Sequence, residues 1–305
     1  MQSVLVLMST YNGERYLRQQ VESVLAQKGV EVALLIRDDG STDSTLEILN
    51  EIKHEYSTIT VVTGPNCRSA ASFMELVYEA SRSYSNFDYY AFCDQDDVWC
   101  EDKLISAVRK LDEFPNSTSI LYLGAYQMVD SHLNKIETPI RVPLLGVKSA
   151  IASNAATGCT MVFNKQLLSL VAARKPKDFI MHDYWVYMVC LISGGHVVYD
   201  PVPHILYRQH GHNVIGGLGD SFCRRWITRI HKLFSPGDRY KSKLASQLLL
   251  CYSDIMSTED KVFLKYVATC SRLSSRFHLL AKKKIFGQTI DKKMQMAGLI
   301  ILGKL

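Results

Sequence analysis

The feature that most limits the possible folds is a regular alternation of short apolar runs and helical patterns over the first hundred residues. The apolar runs predict β-strands at 3–7, 31–36, 58–63 and 88–93. The segments between them place apolar residues on one stripe of a helix, and they span 16–27, 42–52 and 69–81. Strands separated by helices predict an α/β protein whose mostly parallel central sheet is flanked by helices.

Polar residues follow directly after three of these predicted strands. Residues 9–12 read Ser-Thr-Tyr-Asn, residues 38–41 read Asp-Asp-Gly-Ser, and residues 94–97 read Asp-Gln-Asp-Asp. Ligands of open parallel sheets bind at the carboxyl ends of the strands. We therefore expect these three segments to meet at one edge of the sheet and to form a ligand site there.

The acidic segment is the first candidate for chemistry. Asp94, Asp96 and Asp97 bring three carboxylates together, and their repulsion is costly unless a cation relieves it. Oxygen ligands in an open site suit Mg²⁺ or Mn²⁺, which bridge carboxylates to substrate phosphates. A solvated acidic loop that caps a helix at 103–111 is the alternative, and the position after a buried strand favours the metal site.

The Asp-Asp-Gly-Ser segment allows two interpretations. One of its carboxylates could accept a hydrogen bond from the N3–H group of a pyrimidine base, while Gly40 lets the chain turn sharply. The segment could equally be an Asx-turn before the next helix.

The sequence resembles the inverting family 2 glycosyltransferases of the GT-A fold over about residues 3–215. Three motifs carry this resemblance by their order and spacing: Ser9-Thr10-Tyr11-Asn12, Asp38-Asp39-Gly40-Ser41-Thr42-Asp43 and Asp94-Gln95-Asp96-Asp97-Val98-Trp99. Later elements agree in order: Thr157-Gly158-Cys159-Thr160, His182-Asp183-Tyr184-Trp185, and Tyr207-Arg208-Gln209-His210 with Asn213. The sequences DQDDVW and YRQHGxN resemble those of the bacterial polysaccharide rhamnosyltransferases in particular.

The resemblance implies a role for each matching residue. The donor nucleotide would be bound by Thr10, Tyr11, Asn12, Glu14, Asp39, Arg68 and Asp94. Tyr11 would stack on the base and Asp39 would bind its edge. Arg68 lies where the family has a basic residue near the donor phosphates, but the chain departs from the family there, because the usual Asn-x-Gly turn reads Asn66-Cys67-Arg68.

The remaining roles concern the metal and the acceptor. Asp96 and His210 would hold the metal ion, and Asp183 would be the catalytic base that takes the proton of the acceptor hydroxyl. Asp183 as a plain helix cap is the alternative. The candidates on the acceptor and sugar side are Asp97, Trp99, His182 and Trp185.

Two domains are expected, a GT-A catalytic domain at 1–215 and a basic helical extension at 216–305. The catalytic domain would comprise a nucleotide-binding half at about 1–110 and an acceptor half at about 111–215. Residues 221–305 hold 17 Lys and Arg against 5 Asp and Glu, whereas residues 1–220 hold 18 against 25. Such a basic tail predicts contact with an anionic surface. Residues 221–234 predict an amphipathic basic helix at a membrane surface, although packing on the catalytic domain or on a second subunit is the alternative.

Composition narrows the setting of the protein. The eight cysteines are scattered without metal-finger spacing, which favours a reducing compartment. The apolar runs near both ends are too short for a signal peptide or a membrane span. We therefore expect a cytoplasmic protein at the inner face of the plasma membrane, without a nucleic-acid partner, and the sequence leaves open a homo-oligomer.

The predicted activity is transfer of a sugar to a saccharide or lipid-linked saccharide in cell-surface polysaccharide synthesis. Rhamnose from dTDP-rhamnose is the first expectation for the donor, and a UDP-hexose is the alternative. A non-catalytic nucleotide-sugar binding protein in a membrane assembly is a further alternative, but it would be expected to lack Asp96 or Asp183, and both are present.

Overall fold

The first strand alternates its side chains between two separate hydrophobic cores. Val4, Val6 and Met8 belong to one core cluster, whereas Leu5 and Leu7 belong to the other. Side chains that alternate between two cores, with apolar residues at all positions from 4 to 8, are typical of a strand covered on both faces. The computed structural model describes residues 1–140, 142–177, 181–209, 239–281 and 290–305.

In the described part of the chain, eight strands form one sheet in the order β3-β2-β1-β4-β7-β6-β8-β5. The strands are β1 Ser3–Thr10, β2 Glu31–Asp38, β3 Ile59–Thr63, β4 Tyr89–Cys93, β5 Val98–Trp99, β6 Ile120–Val129, β7 Val162–Asn164 and β8 His196–Arg208. The helices of the first 209 residues are α1 Leu17–Leu25, α2 Thr45–Glu55, α3 Ser69–Ser83, α4 Lys103–Leu111, α5 Val147–Ala152, α6 Lys165–Ala172 and α7 His182–Ile192. A 3₁₀ turn, Gly158–Thr160, precedes β7.

Strand direction decides which loops meet. Strands β1 to β4 pair in parallel, and β7 runs antiparallel to both β4 and β6. Because β6 and β8 pair in parallel, the carboxyl ends of β1, β2, β4, β6 and β8 lie at the same edge as the start of β7. This topology brings the segments after β1, β2 and β4 to one edge, as predicted, and adds the 3₁₀ turn and the end of β8.

Several element boundaries differ from those predicted. The helix expected from residue 42 begins at Thr45, because the Asp43 carboxylate accepts a hydrogen bond from the Thr45 amide at 3.1 Å and holds the preceding residues in a turn. The two short strands expected at 197–199 and 204–208 form the single strand β8, with a register shift against β6 near Ala125. The strand expected at 159–163 is divided between the 3₁₀ turn and β7.

The described part of the C-terminal region is helical, with α8 Tyr240–Tyr252, α9 Thr258–Ala268, α10 Leu273–Leu280 and α11 Ile290–Ile301. These helices share a hydrophobic core cluster with α3, α6 and α7. The Trp185 and Tyr252 rings lie 5.9 Å apart, and Arg174 Nη2 donates to the Asp254 carboxylate at 2.7 Å. The buried Lys241 ammonium donates to the Ala152 carbonyl at 3.0 Å. The described C-terminal helices therefore pack against the helices of the first 209 residues.

The predicted domain boundary at 215 and 216 and the predicted basic helix at 221–234 lie outside the described residues. Among the residues that are described, no helix is long and apolar enough to cross a bilayer.

Candidate active site

A cavity of about 770 Å³ opens at the edge of the sheet where these loops meet. Its wall combines the turn after β1, the loop before α3, the acidic loop after β4, the turn before β7 and the start of α7. The residues that line it are Ser9, Tyr11, Asn12, Gly13, Arg15, Tyr16, Asp39, Asn66, Arg68, Ser69, Phe73, Asp94, Gln95, Asp96, Thr157, Gly158, Met181, His182, Asp183 and Tyr207.

Most of the predicted site residues meet in this cavity. The predicted residues on its wall are Tyr11, Asn12, Asp39, Arg68, Asp94, Asp96, His182 and Asp183. Five others do not line it, namely Thr10, Glu14, Asp97, Trp99 and Trp185. His210, predicted as a metal ligand, lies outside the described residues.

Two of these five residues, Thr10 and Glu14, support the loops that form the wall. The buried Thr10 hydroxyl donates to the Asp38 carboxylate at 3.2 Å. The Glu14 carboxylate accepts from the Ser44 amide at 3.0 Å, beside the start of α2. Neither side chain faces the cavity, so a direct donor contact is not supported for Thr10 or Glu14.

The two tryptophans and Asp97 are core residues. Trp185 and Trp99 are both 3% exposed, and Lys103 Nζ lies 3.4 Å from the Trp99 ring centroid. The Asp97 carboxylate is fully buried and accepts from the Arg208 amide at 3.1 Å. The predicted acceptor-side contacts of these three residues therefore have no open surface in the described structure.

The two aspartates of the Asp-Asp-Gly-Ser segment, Asp38 and Asp39, have different surroundings. The Asp38 carboxylate accepts from the amides of Gly40 at 3.1 Å and Ser41 at 2.9 Å, which is an Asx-turn. Gly40 has a φ of +81°, a conformation that favours glycine. The Asp39 carboxylate faces the cavity instead, and it is held by an ion pair with Arg37 and by the Arg68 amide at 3.0 Å.

The acidic loop contains carboxylates that favour a cation. Burial, together with the Asp96 and Asp183 carboxylates, raises the pKa of Asp94 to about 7. Ligand atoms of Asp94, Asp97 and Cys159 all lie within 4.8 Å of one another. Magnesium and manganese disfavour thiol ligands, and burial raises the pKa of Asp97 well above its usual range. The half-buried carboxylates on the cavity wall, those of Asp94 and Asp96, therefore fit such a cation better than the buried Asp97 and Cys159 do.

Arg208, at the end of β8, organises the acidic loop. Its Nε donates to the Asp96 carbonyl at 2.8 Å, and its amide donates to Asp97. Its two terminal nitrogens donate to the Ser131 carbonyl at 2.9 Å and to the Gln19 side chain at 2.7 Å. The arginine of the YRQH motif thus ties β8 to the loop that carries Asp96. Sequence reasoning gave it no role, although an arginine within a matched motif was a usable signal.

Asp183 lies in the first turn of α7, and the residue is 4% exposed. Burial raises its pKa to about 6, against hydrogen bonds from the backbone amides of Tyr184 and Gly158 that lower it. The Tyr184 amide donates to this carboxylate at 2.6 Å. A carboxylate that titrates near neutral pH and faces a cavity has the properties of a general base.

Several residues on the cavity wall were not predicted, among them Arg15, Phe73, Gly158 and Tyr207. Arg15 has a signal as a cation in the turn after β1, and Gly158 and Tyr207 have one because they lie within matched motifs. Phe73 comes from the middle of α3 and reads as an ordinary core residue in the sequence.

The fold is the GT-A fold of glycosyltransferases. A solved structure, the mannosyltransferase PcManGT from Pyrobaculum calidifontis in complex with GDP-Man and Mn²⁺, has the same fold at a TM-score of 0.53 and 14% identity, over 98% of this chain and 85% of that chain. The predicted fold class is therefore confirmed.

Sequence comparison gives the family. Residues 5–169 match the family described as Glycosyl transferase family 2, and the chain belongs to that family. It is 31% identical to the dTDP-rhamnosyl transferase RfbG of Shigella flexneri over 225 residues, which are 68% of this chain and 73% of RfbG.

A more distant relative uses a different sugar. The chain is 27% identical over 167 residues, 54% of this chain and 62% of the relative, to the UDP-Glc:alpha-D-GlcNAc-diphosphoundecaprenol beta-1,3-glucosyltransferase WfgD of Escherichia coli. The predicted family and the resemblance to rhamnosyltransferases are confirmed. The names of the two relatives indicate different donor sugars.

Proposed function

We propose that this enzyme transfers rhamnose from dTDP-rhamnose, with inversion and with Mg²⁺ or Mn²⁺ bound, to a saccharide or lipid-linked saccharide acceptor. The observation that carries the proposal is a single cavity whose wall includes the Asp183 carboxylate, with a pKa near 6, and the carboxylates of Asp94 and Asp96. The similarity to RfbG supports rhamnose as the donor sugar.

The donor is proposed to lie along the cavity from the nucleotide end to Asp183. Tyr11, which is 47% exposed, offers a ring face for stacking on the base, and Asp39 offers a fixed carboxylate for its N3–H group. Arg15 and Arg68 are the cations of the wall that suit the diphosphate. When bound at Asp94 and Asp96, Mg²⁺ or Mn²⁺ supplies charge neutralisation of the departing diphosphate.

In the proposed reaction, the Asp183 carboxylate takes the proton of the acceptor hydroxyl. The acceptor oxygen forms a bond to the anomeric carbon while the bond from that carbon to the diphosphate oxygen breaks, which inverts the configuration. The partly buried site keeps the carboxylate basic near neutral pH, where general-base catalysis is most effective.

The acceptor is assigned to a second, smaller cavity of about 310 Å³ beside the first. Thr157 lines both cavities, so that an acceptor held in the second can reach the first. Most of the second wall comes from residues 124–128, 138–140, 143–144 and 149–157. These segments fall within residues 111–215, the half of the chain that we propose for the acceptor.

A UDP-hexose donor is the second candidate, and the similarity to WfgD favours it. The two donors differ in the base as well as in the sugar, since thymine carries a methyl group that uracil lacks. We expect dTDP to raise the melting temperature of the protein more than UDP does at equal concentration with Mn²⁺, because ligand binding to the folded state stabilises it by mass action. Differential scanning fluorimetry measures this difference.

The control for this measurement is Tyr11→Ala, which removes the proposed stacking partner from an exposed position. It should reduce the shift by both nucleotides and leave the melting temperature without nucleotide almost unchanged. Stronger stabilisation by UDP would contradict the rhamnose assignment and favour the hexose, and turnover of dTDP-rhamnose against UDP-glucose then decides the sugar.

Contact with the inner face of the membrane is proposed from the basic residues at 221–234. The exchange Arg224→Gln with Arg225→Gln is expected to weaken co-sedimentation with anionic phospholipid vesicles at low salt by about 10- to 30-fold, since each cation near such a surface contributes about 1 kcal/mol. The matched control is Lys265→Gln with Arg272→Gln, which removes the same charge from exposed positions of the described C-terminal helices.

Equal loss in both double variants would indicate binding by net charge alone. A full-length protein that ignores anionic vesicles at low salt would contradict the membrane proposal. Deletion of the whole segment 221–305 is not a suitable test, because the described helices α8 to α11 contribute to the hydrophobic core.

A further inference from the structure

His182, the first residue of α7, lies between two aromatic rings. Its imidazole stacks on Phe73 with ring centroids 4.0 Å apart, and it meets the Phe92 ring edge-on at 4.9 Å. The side chain is almost fully buried, with 4% of the residue exposed, yet it forms part of the wall of the large cavity.

Neither imidazole nitrogen of His182 has a hydrogen-bond partner among the described residues. A neutral imidazole carries one N–H donor and one acceptor nitrogen. Burial lowers the pKa of His182 to about 3, so that the ring is neutral at physiological pH. A buried polar atom without a partner is costly, and the cavity is the side from which a partner can come.

Gly158 keeps space beside the ring. A Cβ atom at this position would lie 2.7 Å from His182 Nε2, which is closer than van der Waals contact allows. The same atom would be 3.6 Å from the Asp183 Cβ atom. Glycine at 158 therefore places no side-chain atom beside Nε2, next to the proposed base.

We propose that His182 is a specificity-determining residue, which hydrogen bonds through Nε2 to a hydroxyl group of the transferred sugar. This rests on the proposed function, because it requires a nucleotide sugar in the large cavity. The sugar must lie near Asp183 for transfer to occur, and His182 directly precedes Asp183 at the start of α7. A sugar hydroxyl both donates and accepts, so it matches either tautomer of the ring.

The surroundings of the ring distinguish a sugar from the other parts of the substrates. A diphosphate is recognised by cations, and the ring is neutral and packed between Phe73 and Phe92. The flat stack with Phe73 also fixes the ring plane, so that Nε2 has one direction in which to bond. A polar group that is fixed between two aromatic rings is an arrangement that discriminates between ligands by a hydroxyl.

The first test is His182→Phe, which keeps an aromatic ring against Phe73 and removes both nitrogens. We expect kcat/KM for the nucleotide sugar to fall about 10- to 100-fold, the cost of leaving a sugar hydroxyl without a partner. The dissociation constant of the nucleoside diphosphate, which carries no sugar, should change by less than about twofold. His182→Gln, which can place an amide group near the position of Nε2, should recover part of the loss.

The second test uses donor analogues that each lack one sugar hydroxyl. In the wild type, the analogue that lacks the contacted hydroxyl should lose the same factor as His182→Phe loses with the natural donor. Combining the two changes should cause no further loss, which is the signature of a direct pair in a double-mutant cycle.

An unchanged kcat/KM in a folded His182→Phe would overturn the inference. So would an equal loss of affinity for the nucleoside diphosphate, an effect confined to the KM of the acceptor, or additive losses with every deoxy donor. A wild-type protein that turns over no nucleotide sugar would refute the proposed function itself and this inference with it. If the wild type does turn over the donor, the His182 variants test this inference separately from the proposed function. Thermal denaturation of both variants shows that they fold.

Discussion

Asp183→Asn is expected to lower the rate of sugar transfer by at least ~10²-fold, the usual contribution of a general base. The exchange is nearly isosteric and leaves a side chain that cannot take a proton from the acceptor hydroxyl. The Asp183 carboxylate lies at the start of α7, and it is not among the groups proposed to bind the base and the diphosphate. The dissociation constant of the donor nucleotide should therefore barely change, and steady-state kinetics with nucleotide titration measures both quantities.

The pH profile gives a second measurement on the same variant. Because the pKa of Asp183 is raised to about 6 by burial, wild-type activity should rise with pH through about 6 as the carboxyl loses its proton. The residual activity of Asp183→Asn should lack this limb. Asp260→Asn, an exchange at the first turn of α9, is the matched control and should keep both rate and profile.

Stability should change in the opposite direction from activity. The folded pKa of about 6 exceeds the ordinary value of 3.8, so ionisation of Asp183 destabilises the fold increasingly between about pH 4 and pH 6 and fully above that. At pH 8, Asp183→Asn should thus be more stable than the wild type by about 2–3 kcal/mol. If Asp183→Asn weakens donor binding but keeps the rate of transfer, the catalytic base is another residue.

The location of the site was predictable because it follows from strand direction. The segments after β1, β2 and β4 meet at one edge of the sheet, and the residues of all three motifs contribute to the cavity. What the sequence could not give is the direction of each side chain. Ser9 and Tyr11 line the cavity while Thr10 between them is buried, since successive residues of an extended chain point to opposite sides.

Contacts between segments that are distant along the chain could not be predicted from the sequence either. His182 and Gly158 approach each other only because β7 runs antiparallel and brings the turn before it to the start of α7. In the same way, Arg208 reaches the acidic loop because β8 ends at the same edge as β4. A motif identifies such a residue as notable, and the neighbour it contacts depends on the topology of the sheet.

The packing of the C-terminal region also could not be predicted from its composition. Its basic composition predicted an anionic partner, whereas the described helices carry an apolar face that packs on α7 and α6. An amphipathic helix buries its apolar stripe against whatever surface the fold provides, and composition alone does not name that surface. Trp185, considered as a sugar contact from its motif, is covered by Tyr252 of α8 for this reason.

The metal site leads to the second large effect. Asp96→Asn is expected to lower transfer by about 10³-fold, since a bound cation contributes several kcal/mol of charge stabilisation at the leaving group. Excess EDTA should lower wild-type activity to a similar level, and titration of Mn²⁺ by electron paramagnetic resonance should show weaker binding in the variant. High Mn²⁺ should restore part of its activity, because the Asp94 carboxylate remains on the cavity wall.

Glu101→Gln is the matched control for Asp96→Asn, because it removes one negative charge five residues further along the chain. Glu101 is exposed and pairs with Lys28 on the surface, away from the cavity. It should keep the activity, the Mn²⁺ affinity and the sensitivity to EDTA of the wild type, which separates loss of a metal ligand from loss of local charge. Wild-type protein that transfers sugar at its full rate in excess EDTA would contradict the metal-dependent reaction, and the acidic loop would then serve the donor through Asp94 and Asp96 directly.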